Sequence, residues 1–355
     1  MEKIIAEFRQ AVEEHISTEL SSRSWLGDTP ALSELDDFLF PARQLLSQGK
    51  RTRALFLAAG WELYTGDSTS LPVQGGAALE IYQASALVHD DIVDAATRRR
   101  GLPTAHISMQ KQHENSNLQG ESCAYGKKSA LLLGDFLLSL AGCAFEKAEH
   151  NSPAAFAAAR RTFHEMTAEV AYGQYLDNRA EYTPLGVGNS AAITRALNVL
   201  YHKSARYSVE IPLRLGAQLA GADSEFLQQI SNLGIPLGQA FQLRDDALGL
   251  FGKDAVMGKA AGGDITEGKR TVLLAMIREM TDSDSRRIID NYLGTPLQES
   301  DLAAIQGIAK ECGAYARHED LIAEKEATAA QELEKLPADS KILRYLLTAL
   351  AGRKF

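Results

Sequence analysis

Two acidic clusters, each set in apolar surroundings, carry the chemistry that can be read from this chain. The segment LVHDDIVD puts Asp90, Asp91 and Asp94 at the C-terminal end of an apolar stretch. On a helix, Asp90 and Asp94 lie one turn apart and share a face. Their charges repel, and a helix C-terminus disfavours anions, so the arrangement calls for an offsetting cation. Clustered hard oxygens of this kind suit Mg²⁺, which also holds substrate phosphates. A solvated acidic turn is the plainer alternative, but the preceding QASALVH is mostly apolar. Arg99 and Arg100 follow in ATRRRGLPT, ahead of a glycine turn. Guanidinium groups beside carboxylates and metal are suited to bidentate phosphate contacts.

The second cluster lies in GQAFQLRDDALGLFG, with Asp245, Asp246 and, one turn earlier, Gln242. Two acidic helices can face each other across a bundle interior and grip a diphosphate through several Mg²⁺ ions. Neutralising a departing diphosphate is the demanding step in ionising an allylic ester. Downstream, MGKAAGGDITEGKRT supplies Lys259 and Lys269. The wider segment 251–271 contains five glycines and three lysines, a composition suited to a flexible lid over anions. No Ser-His-Asp or reactive-cysteine arrangement is present, so rate must come from positioning and electrostatics.

The elements that hold these residues read as helices. Apolar residues recur at three- and four-residue spacing through 6–20, 53–64, 78–94, 154–175, 191–213, 225–250 and 271–291. This predicts an all-α bundle of stacked hairpins forming a single domain over residues 1–355. Loops are expected at 21–30, 66–72 and across the polar segment 111–128, read as a mobile surface excursion. The apolar run Ala130–Phe145 is too short to span a bilayer and is expected to be a buried helix. The N-terminus lacks an apolar signal core.

With 355 residues, 45% hydrophobic and 23% charged, the composition is that of a soluble globular protein. A formal charge of −9 argues against a nucleic-acid partner. Cys123, Cys143 and Cys312 are odd in number and lack a CxxC spacing, which disfavours disulfides and zinc and points to the cytoplasm. His89, His106, Trp25 and Trp61 read as packing residues, 319–334 as a solvent-facing amphipathic helix, and Arg353 and Lys354 as a solvated tail.

Taken in order, the motifs identify a resemblance. GKRTR at 49–53, QASALVHDDIVD with RRG, LLLGDFLLSLA from Leu131, GQYLD at 173, HKSARYS around Lys203, FQLRDD from Phe241 and EGKRT together resemble the trans-polyprenyl diphosphate synthases. The resemblance covers nearly the whole chain and is greatest to geranylgeranyl diphosphate synthases of actinobacterial type. It implies an isoprenoid-synthase helical bundle around a deep central cavity, usually as a homodimer. Lys50, Arg53, Gln83 and Arg100 would receive the diphosphate of isopentenyl diphosphate. Arg99, Lys203, Lys259 and Lys269 would grip the allylic diphosphate. Asp90, Asp94 and Asp245 would be direct Mg²⁺ ligands, with Asp91 and Asp246 acting through waters and three ions per loaded site. Gln174, Asp177, Ser204 and Gln242 would steady the allylic end or the cation. The chain departs from the pattern at Gly249, where a third aspartate is common, at Ser204 in place of threonine, and at Gln48 in place of glycine.

The reaction so implied is ionisation, condensation and elimination between an allylic diphosphate of C5–C15 and isopentenyl diphosphate. The growing chain should follow the helix ending at Asp90. Small Ser85 and Ala86 leave the upper tunnel open, and Tyr82, about 5 Å deeper, is the candidate floor. That favours a C20 product over C15, with an ordinary core role for Tyr82 as the alternative. A class I terpene cyclase would have no use for a second cationic pocket, and a catalytically silent subunit should have lost one aspartate cluster.

Overall fold

The computed structural model describes residues 1–24, 33–186, 190–252 and 261–351. The described residues are helical apart from turns and one two-residue β-hairpin, Arg98–Arg99 with Leu102–Pro103. They cluster into two compact units built from interleaved segments.

The first unit comprises residues 1–164, 212–224 and 338–348. Helix α1 (Glu2–Ser21) buries Ile5, Phe8, Val12, Ile16 and Leu20, a stripe at helical spacing. Helix α2 spans Ser33–Leu46. Helix α3 (Thr52–Thr65) is buried without interruption from Ala54 to Leu63, as befits a core helix apolar on all sides. Helix α4 (Val73–Val93) carries the first aspartate motif at its end and packs along α1, α3 and α6. Helix α5 spans Ala105–Asn115, α6 Ser122–Phe145, α7 Pro153–Tyr182 and α8 Ser190–Val199. A π-helical stretch over Leu200–Glu210 follows, then α9 (Ile211–Leu219) and α10 (Ser224–Phe251). The rest are α11 (Gly263–Thr266), α12 (Val272–Met280), α13 (Ser283–Tyr292), α14 (Glu299–Glu311), α15 (Ala314–Glu334) and α16 (Lys341–Ala351). The start of α16 returns to the first unit, where the buried Glu62 carboxylate accepts from the Ile342 amide at 3.1 Å and from the Ser340 hydroxyl.

Several expected boundaries differ. The polar segment 111–128 is mostly helix, and only residues 116–121 interrupt it. Glu121 starts α6 by accepting from the amides of Cys123 and Ala124 at 2.9 and 2.6 Å, meeting orphan donors of the first turn. The expected helix 191–213 is widened into a π turn across its middle. The stretch 271–291 divides at Asp282, whose carboxylate caps α13 through Asp284 and Ser285. The apolar run from Ala130 belongs to a 24-residue helix that, by length and composition alone, could cross a membrane. The run expected to be too short to span a bilayer is thus part of a longer helix, because the Glu121 cap moves the helix start back. The helix is not wholly buried: Leu131, Leu132 and Leu138 are exposed. Trp61 is in the core as expected, whereas Trp25, Arg353 and Lys354 lie outside the described residues.

The second unit comprises residues 165–211, 225–337 and 349–355. Its core includes a buried histidine, His318 on α15, 0% exposed, with both ring nitrogens lacking hydrogen-bond partners among the described residues. Burial, reinforced by the positive charge of Arg244, lowers its pKa to about 4. The unfolded chain therefore takes up this proton more readily than the fold does. Stability from this group is complete above pH 6.5 and is lost as pH falls towards 4, by about 3 kcal/mol in all. Denaturant midpoints measured between pH 4 and 7.5 should fall steeply in the native chain and less steeply in His318→Leu. An unchanged slope in the variant would remove His318 as the cause.

Candidate active site

In the first unit, the sequence GKRTR is shaped by a residue that the spacing argument passed over. Arg51 has a left-handed backbone (φ 52°) and is only 3% exposed. Its guanidinium donates to the carbonyls of Leu46 and Gln48 and to Glu13, and it lies 3.8 Å from Glu80. Glu80 also accepts from the Ala54 amide at 3.3 Å. These contacts fix the turn that ends in Lys50 and starts α3, which carries Arg53.

The β-hairpin brings a further guanidinium to the same turn. Arg100 and Gly101 both have positive φ (51° and 79°), the backbone of a two-residue type I′ turn. Arg100 donates to the Gln48 carbonyl at 2.8 Å. A Cβ on Gly49 would stand 3.1 Å from that guanidinium, and its φ of 134° favours glycine there. Burial lowers the pKa of Arg100; Glu80 opposes this, while Arg99, Arg51 and Arg53 add to it. Cations crowded enough to repel one another form a site that a polyanion stabilises. A cleft of about 340 Å³ beside them is lined by Gln44, Gln48, Asp91, Arg99, Arg100 and Thr104, among others.

Arg99 lies across the first aspartate motif. Its Nε donates to Asp91 at 2.7 Å and its Nη2 to Asp90 at 3.0 Å. Burial works against the charge on Arg99, but Asp91 and Asp90 outweigh it and hold its pKa above the ordinary value. A cation that binds the same oxygens must share them with Arg99. Asp94 is the C-cap of α4, its amide bonded to the Asp90 carbonyl at 2.9 Å. Gln83 and Ala86 on α4 are half-buried, and Lys50 is exposed. Ser85 is buried and donates to the Gly134 carbonyl on α6 at 2.8 Å. Tyr82 packs edge-on against Phe163, with ring centroids 6.3 Å apart. His89 sits by the Leu131 carbonyl and Asp135, and His106 by the Thr104 hydroxyl, as packing residues.

The second unit gathers the other candidates. Lys203 and Ser204 lie on the π stretch, a helix form common at functional positions. Gly173 on α7 lets that stretch approach: a Cβ there would be 2.5 Å from the Lys203 amide nitrogen. Lys203 pairs with Asp177 at 2.5 Å, and Gln174 on the same helix is half-buried. On α10, Gln242 donates to Asp246 at 3.2 Å. Lys269 pairs with Glu267 at 2.7 Å, while Lys259 lies outside the described residues.

A third carboxylate joins the second motif from an unexpected position. A Cβ on Gly249 would stand 2.6 Å from Asp264 Oδ2, so the missing side chain leaves room for the Asp264 carboxylate. Burial, then the charge of Asp264, push the pKa of Asp246 well above the ordinary value; the Gln242 hydrogen bond opposes this and Asp245 adds to the rise. The glycine was visible in the sequence, but nothing local revealed that Asp264, 15 positions on, fills its space.

The donor set fits Mg²⁺. Hard oxygens whose charges repel are stabilised by a divalent cation. Among the described residues no three His, Cys, Asp or Glu side chains form a ready-made metal cage. Mg²⁺ typically takes one or two carboxylates and completes its shell with water and substrate phosphates.

Comparison with known proteins places the chain in a family. Residues 38–309 match the polyprenyl synthetase family. Geranylgeranyl diphosphate synthase of Sulfolobus acidocaldarius is 31% identical over 278 residues, 76% of this chain and 73% of that protein. Geranylfarnesyl diphosphate synthase of Aeropyrum pernix is 29% identical over 279 residues, 75% of this chain and 77% of that protein. The crystal structure of a Corynebacterium glutamicum geranylgeranyl pyrophosphate synthase, complexed with isoprenyl diphosphate and magnesium, aligns with a TM-score of 0.87 at 32% identity, covering 98% of each chain. On the breadth of the family match, supported by these relatives, the chain belongs to the polyprenyl synthetase family.

Proposed function

We propose that this trans-prenyltransferase condenses isopentenyl diphosphate with an allylic diphosphate of C5–C15 and makes mainly the C20 product, geranylgeranyl diphosphate. The observation that carries the reading is the pairing of carboxylate motifs with a second cationic cluster, in which Arg100 is held at the Gln48 turn and feels the charge of Arg53. A terpene cyclase, with one diphosphate to bind, has no need of that second cationic cluster. A silent subunit has no need of both aspartate motifs.

When bound, Mg²⁺ supplies the charge that neutralises the leaving diphosphate, with Asp90, Asp94 and Asp245 as direct ligands and Asp91 and Asp246 as supports. Lys203, Lys259, Lys269 and Arg99 add positive charge to the same group. Lys50, Arg53, Gln83 and Arg100 hold isopentenyl diphosphate so that its double bond faces the allylic carbon. Gln174, Asp177, Ser204 and Gln242 orient the allylic end, and the proton lost after condensation goes to the released diphosphate. Positioning and electrostatics carry the rate.

Asp264 takes the part of the third carboxylate of the second motif. Asp264→Asn should raise the Mg²⁺ concentration for half-maximal rate by about 10–100-fold. An unchanged Mg²⁺ dependence would make Asp264 a packing residue.

The exposed Leu131, Leu132 and Leu138 on α6 support a homodimer, and the three unpaired cysteines support a reducing, cytoplasmic setting. The experiment that tests the function incubates the protein with labelled isopentenyl diphosphate and C5, C10 or C15 primers, with Mg²⁺ or chelator. Mg²⁺-dependent product ending at C20 is expected. Condensation with no primer would overturn the reaction, and product ending at C15 would overturn the length.

A further inference from the structure

A second cationic hollow lies in the second unit, apart from every residue assigned above. It measures about 510 Å³ including open solvent. One side is apolar: Leu185, Ala192, Ala196, Leu274 and Ala275. The other carries Arg195, Arg270 and Arg278.

These arginines are in different states. Arg278 is neutralised by a bidentate pair with Asp290 at 2.6 and 3.0 Å. Arg270 is oriented by one hydrogen bond, from Nη2 to the Glu181 carbonyl at 3.2 Å. Its Nε and Nη1 are buried with no hydrogen-bond partner among the described residues. Burial, then the charge of Arg278, lower its pKa. Arg195 is exposed on α8 and no carboxylate lies within ion-pair distance of it among the described residues. Leaving charged donors desolvated and unpaired is expensive. An anion that reaches these donors from the hollow would remove that cost. A bare anion would use the guanidiniums and leave the apolar side unused; a hydrocarbon would do the reverse.

We propose that this hollow binds an organic diphosphate with an apolar body, held by Arg270 and Arg195, at a site distinct from the catalytic one. The ligand class is that of the enzyme's own prenyl diphosphates, a choice that rests on the reaction proposed above. Lys269, assigned to the allylic diphosphate, is the residue next to Arg270, so occupancy of the hollow bears on the catalytic segment and fits inhibition by product.

The test is equilibrium binding of labelled C20 prenyl diphosphate to the full chain in Mg²⁺, with turnover assayed on the same preparations. Two classes of site per chain are expected. Arg270→Gln, Arg195→Ala and Ala192→Trp should each weaken one class by about tenfold or more, leaving the other class unchanged. Arg195→Ala removes an exposed side chain, so it keeps the test valid if Arg270→Gln fails to fold. Inorganic diphosphate and the C20 alcohol should each bind this class at least about tenfold more weakly than the prenyl diphosphate. A single class in the native chain, or two classes indifferent to both arginines, would overturn the proposal. So would inorganic diphosphate binding as tightly as the prenyl compound. Loss of turnover in the native chain would instead count against the proposed reaction, since the two classes are counted without it.

Discussion

Asp94→Ala should lower turnover by about 10³-fold or more while leaving the fold as stable as before or slightly more so. The loss follows from its proposed place in the chemistry: the substitution would remove one of the hard oxygens proposed to hold the cation that stabilises the departing diphosphate. The gain follows from its place in the helix, since Asp94 caps the C-terminus of α4, where an anion is unfavourable by about 0.3–1 kcal/mol. Asp90 and Asp91 are already drawn to Arg99, so repulsion within the motif also falls when Asp94 is removed. The KM for isopentenyl diphosphate should change little, because Lys50, Arg53 and Arg100 are untouched. Initial rates across a Mg²⁺ series, read beside thermal melts, check both halves. Near-normal turnover would defeat the metal assignment, and a destabilised variant would mean that Asp94 is mainly a structural cap.

The parts of this protein legible in its sequence were those written in local spacing. Asp90 and Asp94 four apart, the apolar periodicity of α1 and α4, and the acidic α15 can each be read within one or two helical turns. What escaped depended on neighbours remote in the chain or on the backbone itself. Arg51 looked like one more cation in GKRTR, and only its contacts to Glu13 and Glu80 show why it is buried. Asp264 looked like part of a polar loop until the space beside Gly249 assigned it a role. The π stretch over Leu200–Glu210 has ordinary helical periodicity, so side-chain pattern alone could not separate it from an α-helix. The cap at Glu121 broke a segment that polarity suggested was loop throughout. Apolar pattern likewise described α6 as buried, although Leu131, Leu132 and Leu138 are exposed, because composition alone does not say which apolar face has a neighbour.

Tyr82→Ala should lengthen the main product by one isoprene unit, from C20 to C25, and not open the way to much longer chains. Tyr82 is 4% exposed on α4, about two turns before Asp90. Behind it Phe163 meets its ring edge-on at 6.3 Å, and Phe163 stacks on Phe145 at 4.4 Å. Removing the first ring frees roughly one turn of depth, about 5 Å, but leaves the second aromatic layer as a new floor. The same truncation empties a packed site and should cost about 3–5 kcal/mol of stability before any ligand fills it. The two effects separate the two roles of the residue. A floor yields longer product together with a fold that long-chain product restabilises, because a ligand bound only to the native state raises its stability by mass action. A plain core aromatic yields the loss of stability with product still ending at C20, and that pattern would exclude Tyr82 from length control. Phe163→Ala in the Tyr82→Ala background distinguishes a single floor from a layered one. If the layering holds, the double variant passes C25, whereas Phe163→Ala alone stays at C20 with Tyr82 still in place.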